Sequence, residues 1–311
     1  GDECSKSSPK LRVNMGARLM INDTETQNHD DILRQVDRLM LELQQKKLKR
    51  RPTFIGVGAG RSGTSAIYRF LNSHPDSYVS PVKEVNYFGF RDKKTNPYGM
   101  SFNEYLRYFA FAPSDVEVIG EISPIYFTLK NAASLIASAL PDAKILITLR
   151  DPLSRFLSQY KHHLGTHKIS DINEYVSSAI VDYQSETVKE KEFKWFLPVN
   201  NLRQSLYADA FREYSQYFHA EKICVVFFDD IHDEDLYIGR VCKFLNITKN
   251  LDPLGLTNKS FDDADIINRI KLEYLEDIVE IFFEDLVQCR EFVPSRYLDN
   301  WLLQYNELIR R

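Results

Sequence analysis

Gly58-Ala59-Gly60-Arg61-Ser62-Gly63-Thr64-Ser65 carries the densest chemistry in this chain. Its glycines are spaced as in a phosphate-binding loop, and Thr64 stands where a nucleotide triphosphate loop has Lys. Successive backbone N–H groups in such a loop turn inward and, with the positive end of the following helix, hold an anion. Thr64 and Ser65 add hydroxyl donors, and Arg61 brings the charge that the missing Lys would supply. A glycine turn that merely joins a strand to a helix has the same letters, so the loop alone predicts a phosphate site and no reaction. A second cluster lies further on, in Leu149-Arg150-Asp151-Pro152 with Arg155 and Ser158. Arg150 follows an apolar run, at the carboxyl end of a predicted strand, where open parallel sheets bind their ligands. Its planar fork suits phosphate oxygens, and Ser158 falls about two helical turns later, within reach of the same anion.

The elements that must position these residues are legible around them. Thr53 to Val57 is a short β-rich run, and after the loop Ala66, Ile67, Phe70 and Leu71 follow helical spacing, so strand, tight loop and helix succeed one another. Lys144 to Leu149 is nearly all apolar, as a strand covered by helices on both faces requires. Further strands are predicted at Val116 to Ile119 and Lys222 to Phe228. Helices are predicted at Ser101 to Phe109, where Ser101 and Glu104 form a capping box, and at Asn131 to Leu140, Pro152 to Leu164, Asp171 to Tyr183 and Arg203 to Phe218. From about Asp263 the chain reads as helical, with Tyr274, Ile278, Ile281 and Phe282 on one face. At the other end, residues 1–51 read as a loose polar arm to about Asn28 followed by an amphipathic helix from Asp30 that Pro52 stops. The expected fold is α/β, a P-loop-like central parallel sheet flanked by helices with a helical C-terminal portion, over residues 52–311.

Taken together, the motifs resemble a known family. Gly60-Arg61-Ser62-Gly63-Thr64-Ser65 followed by Leu71-Asn72-Ser73-His74-Pro75 is similar to the 5′-phosphosulfate loop of sulfotransferases that use 3′-phosphoadenosine-5′-phosphosulfate (PAPS). Arg150 and Ser158 match that family's 3′-phosphate motif, so the resemblance implies that they grip the 3′-phosphate. Ser80-Pro81-Val82-Lys83-Glu84-Val85-Asn86-Tyr87-Phe88 resembles the segment bearing the catalytic Glu in the heparan sulfate branch and in related bacterial enzymes. Ser205-Leu206-Tyr207 resembles a Ser-x-Tyr segment near the nucleotide. The likeness runs from about Thr53 to Leu245. It departs at Ile122 in Glu121-Ile122-Ser123-Pro124, where many relatives carry Lys.

The resemblance implies a transferase that moves a sulfuryl group from PAPS to a hydroxyl or amine of a carbohydrate, lipid or small molecule, leaving 3′-phosphoadenosine-5′-phosphate (PAP). Glu84 is the expected general base. Arg61, with Gly60, Ser62, Gly63, Thr64 and Ser65, would hold the 5′ end, while Arg150, Ser158 and Tyr207 serve the 3′ side. Lys83 would orient the sulfuryl group or pair with Glu84. In an extended segment the two side chains point to opposite faces, which favours Glu84 as the one that faces the donor. His162 and His163 are read as surface or helix-end residues. No metal enters this scheme. A small-molecule kinase with a P-loop, and a nucleotide-binding protein without activity, are the alternatives. The kinase lacks its Lys, and no Mg²⁺ partner site follows a later strand.

Composition sets the outer limits. The chain has 311 residues, 40 Lys and Arg against 44 Asp and Glu, and a formal charge of −4, without the basic excess of a nucleic-acid binder. No apolar run is long enough to cross a bilayer. Its four cysteines have no paired spacing, which argues against zinc, and Cys224 and Cys242 read as small core residues. The chain opens on Gly1, and Asn22, Asn246 and Asn258 each begin an N-x-[ST] triplet, so a cytoplasmic setting and the luminal part of an anchored Golgi enzyme both fit. The oligomeric state is not legible.

Overall fold

Five strands gather the apolar runs of the chain into one parallel sheet: β1 (Phe54–Gly58), β2 (Ser77–Val79), β3 (Val118–Ile122), β4 (Lys144–Leu149) and β5 (Ile223–Phe227). They are seen in a computed structural model that describes residues 50–89, 100–166, 171–185, 197–249 and 263–310. The expected arm and helix of residues 1–51 lie outside the described residues, except for Arg50 and Arg51. All described residues belong to one unit, residues 49–311.

The strand order is β2-β3-β1-β4-β5, with every pair parallel. The chain leaves β1 toward β3 and β2, and leaves β4 toward β5. The carboxyl ends of β1 and β4 are therefore neighbours whose loops depart in opposite directions, the crevice where open α/β sheets bind ligands. Ile145, Ile147 and Leu149 alternate with Leu146 along β4, and all four are buried, so helices cover both faces as the apolar run requires. On one face α1 (Thr64–Ser73) and, from the C-terminal half, α8 (Glu234–Leu245) contribute Ala66, Ile67, Phe70, Leu71, Tyr237, Ile238, Val241 and Cys242 to a single cluster. Cys224 and Cys242 are core residues, as expected.

Between these elements run α2 (Phe102–Arg107), α3 (Ala132–Ala139), α4 (Pro152–Thr166), α5 (Ile172–Gln184), α6 (Pro198–Arg203) and α7 (Ala208–Tyr217). The chain closes with α9 (Ala264–Ile267), α10 (Leu272–Cys289) and α11 (Arg296–Ile309). Ser101 and Glu104 form the expected capping box. Two expectations need correction. The strand expected at Val116 to Ile119 is shifted along to Val118–Ile122, because Gly120, Glu121 and Ile122 continue the pairing with β1. The three-residue β2 was not foreseen. The helix expected across Arg203 to Phe218 is two helices, α6 and α7, broken at residues 204–207. There Asp285 of α10 accepts from the N–H groups of Tyr207 and Ala208, at 2.7 and 3.1 Å, and starts the second helix.

Candidate active site

The phosphate loop joins β1 to α1 through Gly63, whose φ of 89° suits glycine alone. A methyl group there would come within 2.4 Å of the Tyr237 hydroxyl. No side chain caps the start of α1, so the first N–H groups of the helix remain directed at the loop. Thr64 and Ser62 are buried, while Arg61 and Ser65 are exposed. Ala59 N–H donates to Thr148 O at 2.7 Å, which ties the loop to the end of β4.

Beneath the loop lies Arg155, wholly buried on α4. Its Nε donates to Gly60 O at 3.1 Å, Nη1 to Asn201 Oδ1 and Ser205 Oγ, and Nη2 to Gln204 Oε1. None of these acceptors is charged, and burial pulls its pKa down to about 10. Arg155 therefore braces the loop from within and joins it to α6. Ile122 packs into the apolar cluster against Gly56 of β1 and is core, not ligand-facing.

The two sequence motifs meet. Arg61 Nε donates to Ser158 Oγ at 3.3 Å, which places the loop after β1 against the helix after β4. Although Arg61 is exposed overall, protein packed around its guanidinium lowers its pKa first and the positive charge of Arg150 lowers it next; Glu84 opposes the shift. Like charges that disfavour one another in this way mark a place for an anion. Arg150 stacks its guanidinium over Phe228 at 4.7 Å and reaches Asp263 Oδ2 at 3.3 Å. Lys161, one turn beyond Ser158, reaches Asp263 Oδ1 at 2.6 Å. Sequence reasoning missed Lys161 and Asp263, since only the fold brings them to Arg150. Tyr207 is wholly buried and donates its hydroxyl to Arg150 O at 2.8 Å, so it stands behind Arg150 and braces it rather than lining the cleft.

Lys83 and Glu84 depart from expectation. The segment is not extended, because Glu84 has φ 64° and Asn86 φ 57°. The turn brings the side chains together, with Lys83 Nζ 2.9 Å from Glu84 Oε1, where opposite faces were expected. Glu84 is about half exposed and acts electrostatically on Arg61. Asn86 Oδ1 is buried with no donor among the described residues, an acceptor that a substrate N–H or O–H could satisfy. His162 is exposed, as read from the sequence, but His163 is wholly buried between Gln159 and the Tyr175 hydroxyl, correcting its surface assignment. The cause is its place on the inner face of α4.

Residues 51–264 match the family model described as Sulfotransferase domain. The chain belongs to the sulfotransferase domain family. Among curated relatives, human heparan sulfate glucosamine 3-O-sulfotransferase 5 is 27% identical over 208 residues, covering 66% of this chain and 56% of the relative. Human bifunctional heparan sulfate N-deacetylase/N-sulfotransferase 1 is 26% identical over 217 residues, 67% of this chain and 24% of the relative. The membrane-associated sulfotransferase kil1 of Dictyostelium discoideum is 33% identical over 111 residues, 35% of this chain and 22% of the relative. The chain thus spans from about a fifth to just over half the length of these relatives. A sulfotransferase structure from Alicyclobacillus acidocaldarius superposes with a TM-score of 0.65 at 24% identity, covering 81% of this chain and 99% of that one, and shares the fold.

Proposed function

We propose that this chain transfers a sulfuryl group from PAPS to a hydroxyl or amine, with a carbohydrate or small molecule as acceptor. The observation that carries this reading is the contact between Arg61 and Ser158, which joins the two anion motifs at the β1–β4 crevice. One adenine nucleotide with phosphate at both ends fits such a pair, since loop N–H groups and Arg61 suit the 5′ end while Arg150, Ser158 and Lys161 suit the 3′ end. The carboxylate of Asp263 already bridges Arg150 and Lys161, so the two cations lie close enough to share one oxyanion. The heparan sulfate names of the relatives favour a carbohydrate acceptor.

The donor, when bound, supplies an activated sulfuryl group with PAP as leaving group. Glu84 takes the proton from the attacking hydroxyl or amine as its oxygen or nitrogen bonds to sulfur. Arg61 and the loop N–H groups receive the negative charge left on the departing 5′-phosphate oxygen as the S–O bond breaks. Lys83 holds Glu84 beside the transfer point and screens its charge from the incoming donor. Thermal stabilisation tests the donor. PAP is expected to raise the melting temperature by several degrees at concentrations where ADP, which lacks the 3′-phosphate, does little. Equal stabilisation by ADP would overturn the assignment of a dedicated 3′-phosphate site. Transfer of radiolabelled sulfate from PAPS to a panel of oligosaccharides and small phenols then identifies the acceptor.

A further inference from the structure

Glu121, the next-to-last residue of β3, has its side chain wholly enclosed, and every group set against it is a donor. Tyr105 Oη from α2 and Tyr126 Oη from the short 3-10 turn after β3 both donate to Oε1 at 3.0 Å. Ser123 Oγ donates to Oε2 at 2.6 Å, and the Val85 N–H adds a backbone hydrogen bond. Two of these hydroxyls are relays. Ser123 Oγ accepts from Asn86 N at 3.0 Å, and Tyr126 Oη accepts from Phe88 N at 3.3 Å. A hydroxyl has one hydrogen to give. Because each gives it to Glu121, each keeps a lone pair for the loop. A single carboxylate thus holds the amides of Val85, Asn86 and Phe88, directly or through one oxygen, while Glu84 N–H donates to Ile122 O at 3.1 Å.

The loop needs such holding. Glu84 and Asn86 are both left-handed; asparagine adopts that region readily, but at Glu84 it is a conformation that the side chain resists and that persists where the surroundings over-determine it. We propose that Glu121 is the positioning residue for Glu84, its ionised carboxylate organising the 84–88 loop through Ser123 and Tyr126. This inference rests on the reading of Glu84 as the base.

The protonation state matters because all four partners donate. A proton on the carboxyl turns one acceptor position into a donor, so one partner must let go or rotate, and the relay to the loop breaks. Burial, opposed by these hydrogen bonds, pushes the pKa of Glu121 up to about 7. The titratable groups facing it, Tyr105 and Tyr126, are kept neutral by burial, with pKa values raised well above the ordinary tyrosine range. The sign of the linkage then separates two roles. A carboxyl with a folded pKa above its unfolded value of 4.5 contributes most stability below that value and loses it as pH rises to about 7. Loop order moves the other way, growing as the carboxyl ionises.

The test uses the full chain, with Glu121→Gln, Ser123→Ala and Glu84→Gln beside the parent. Calorimetric binding of PAP reports an intact donor site. Amide hydrogen exchange over residues 82–89, corrected for intrinsic rates, is followed from pH 6 to 8.5. In the parent, protection of Val85, Asn86 and Phe88 is expected to rise at least tenfold across that range. Glu121→Gln should stay near the acid value at every pH, with PAP affinity within about threefold of the parent. Ser123→Ala should lose protection at Asn86 and keep it at Val85. A parent whose protection ignores pH, or a Glu121→Gln that keeps full protection while binding PAP, overturns the proposal. If Glu121→Gln fails to bind PAP, Ser123→Ala decides, and unchanged exchange at Asn86 then counts against it. Normal PAPS turnover to PAP by Glu84→Gln would remove the base assignment instead, leaving the exchange result to stand by itself.

Discussion

Glu84 is paired with Lys83 at 2.9 Å and acts on Arg61 through its charge, and these two cations decide what its removal does. Glu84→Gln keeps the size of the side chain and discards its basicity. Turnover is expected to fall about 10²- to 10⁴-fold, the usual worth of a general base, while PAP binding stays normal or tightens as a negative charge leaves the donor's neighbourhood. Steady-state rates and calorimetry separate these effects. Asp263 offers the complementary case. Its carboxylate spans Arg150 and Lys161, the cations assigned to the 3′-phosphate, so nucleotide and carboxylate compete for them. Asp263→Asn should bind PAP several-fold more tightly and ADP no differently, because only the former meets that pair. A weaker PAP complex would mean that Asp263 orients the cations instead. Arg61, Arg150 and Ser158 were picked out of the sequence because phosphate chemistry asks for those types at the ends of strands and starts of helices, and the fold brings them together. Lys161 and Asp263 were not, since a charge on a helix looks the same whether it meets water or a carboxylate a hundred residues away.

At the scale of elements, the helix break at residues 204–207 depends on a partner that local sequence cannot show. Asp285 caps α7 from α10, and its burial pushes its pKa up to about 6. Such a group stabilises the fold most below its unfolded value of 3.8, and that contribution falls as pH rises to about 6. Asp285→Asn retains a capping oxygen and removes the titration, so denaturation midpoints between about pH 4 and 6 should lose one downward component relative to the parent. Equal pH profiles would show that the carboxyl does not titrate in the fold. The strand–loop–helix of β1 and α1, the boundaries of β4 and the capping box of α2 could all be read in advance, because their signals lie within a few residues of one another. The three residues of β2 are too few for any period, and the turn that pairs Lys83 with Glu84 rests on left-handed backbone at two residues that are not glycine. Glu121 stood in plain view in the Glu121-Ile122-Ser123-Pro124 segment. What hid its role was that the donors arrive from α2, the 3-10 turn and the 84–88 loop at once.

The molecule as a whole carries a net charge of −4, yet Arg61, Arg150, Arg155 and Lys161 converge at one crevice. Overall charge was thus no guide to the anion site, whose field is local. The scaffold behind that crevice extends past residue 264, where the family match ends. Tyr305 of α11 donates to Asp151 Oδ2 at 2.6 Å and accepts from Leu153 N at 3.0 Å, clasping the turn next to Arg150. Trp301 donates to Asp229 beyond β5 at 3.1 Å. A premature stop codon before position 301 would spare every residue proposed to touch a nucleotide and still be expected to yield an inactive product. Its translated polypeptide should show at least tenfold weaker retention on immobilised PAP, and a synthetic peptide of residues 296–311 supplied in trans offers a measure of how much of that loss is reversible.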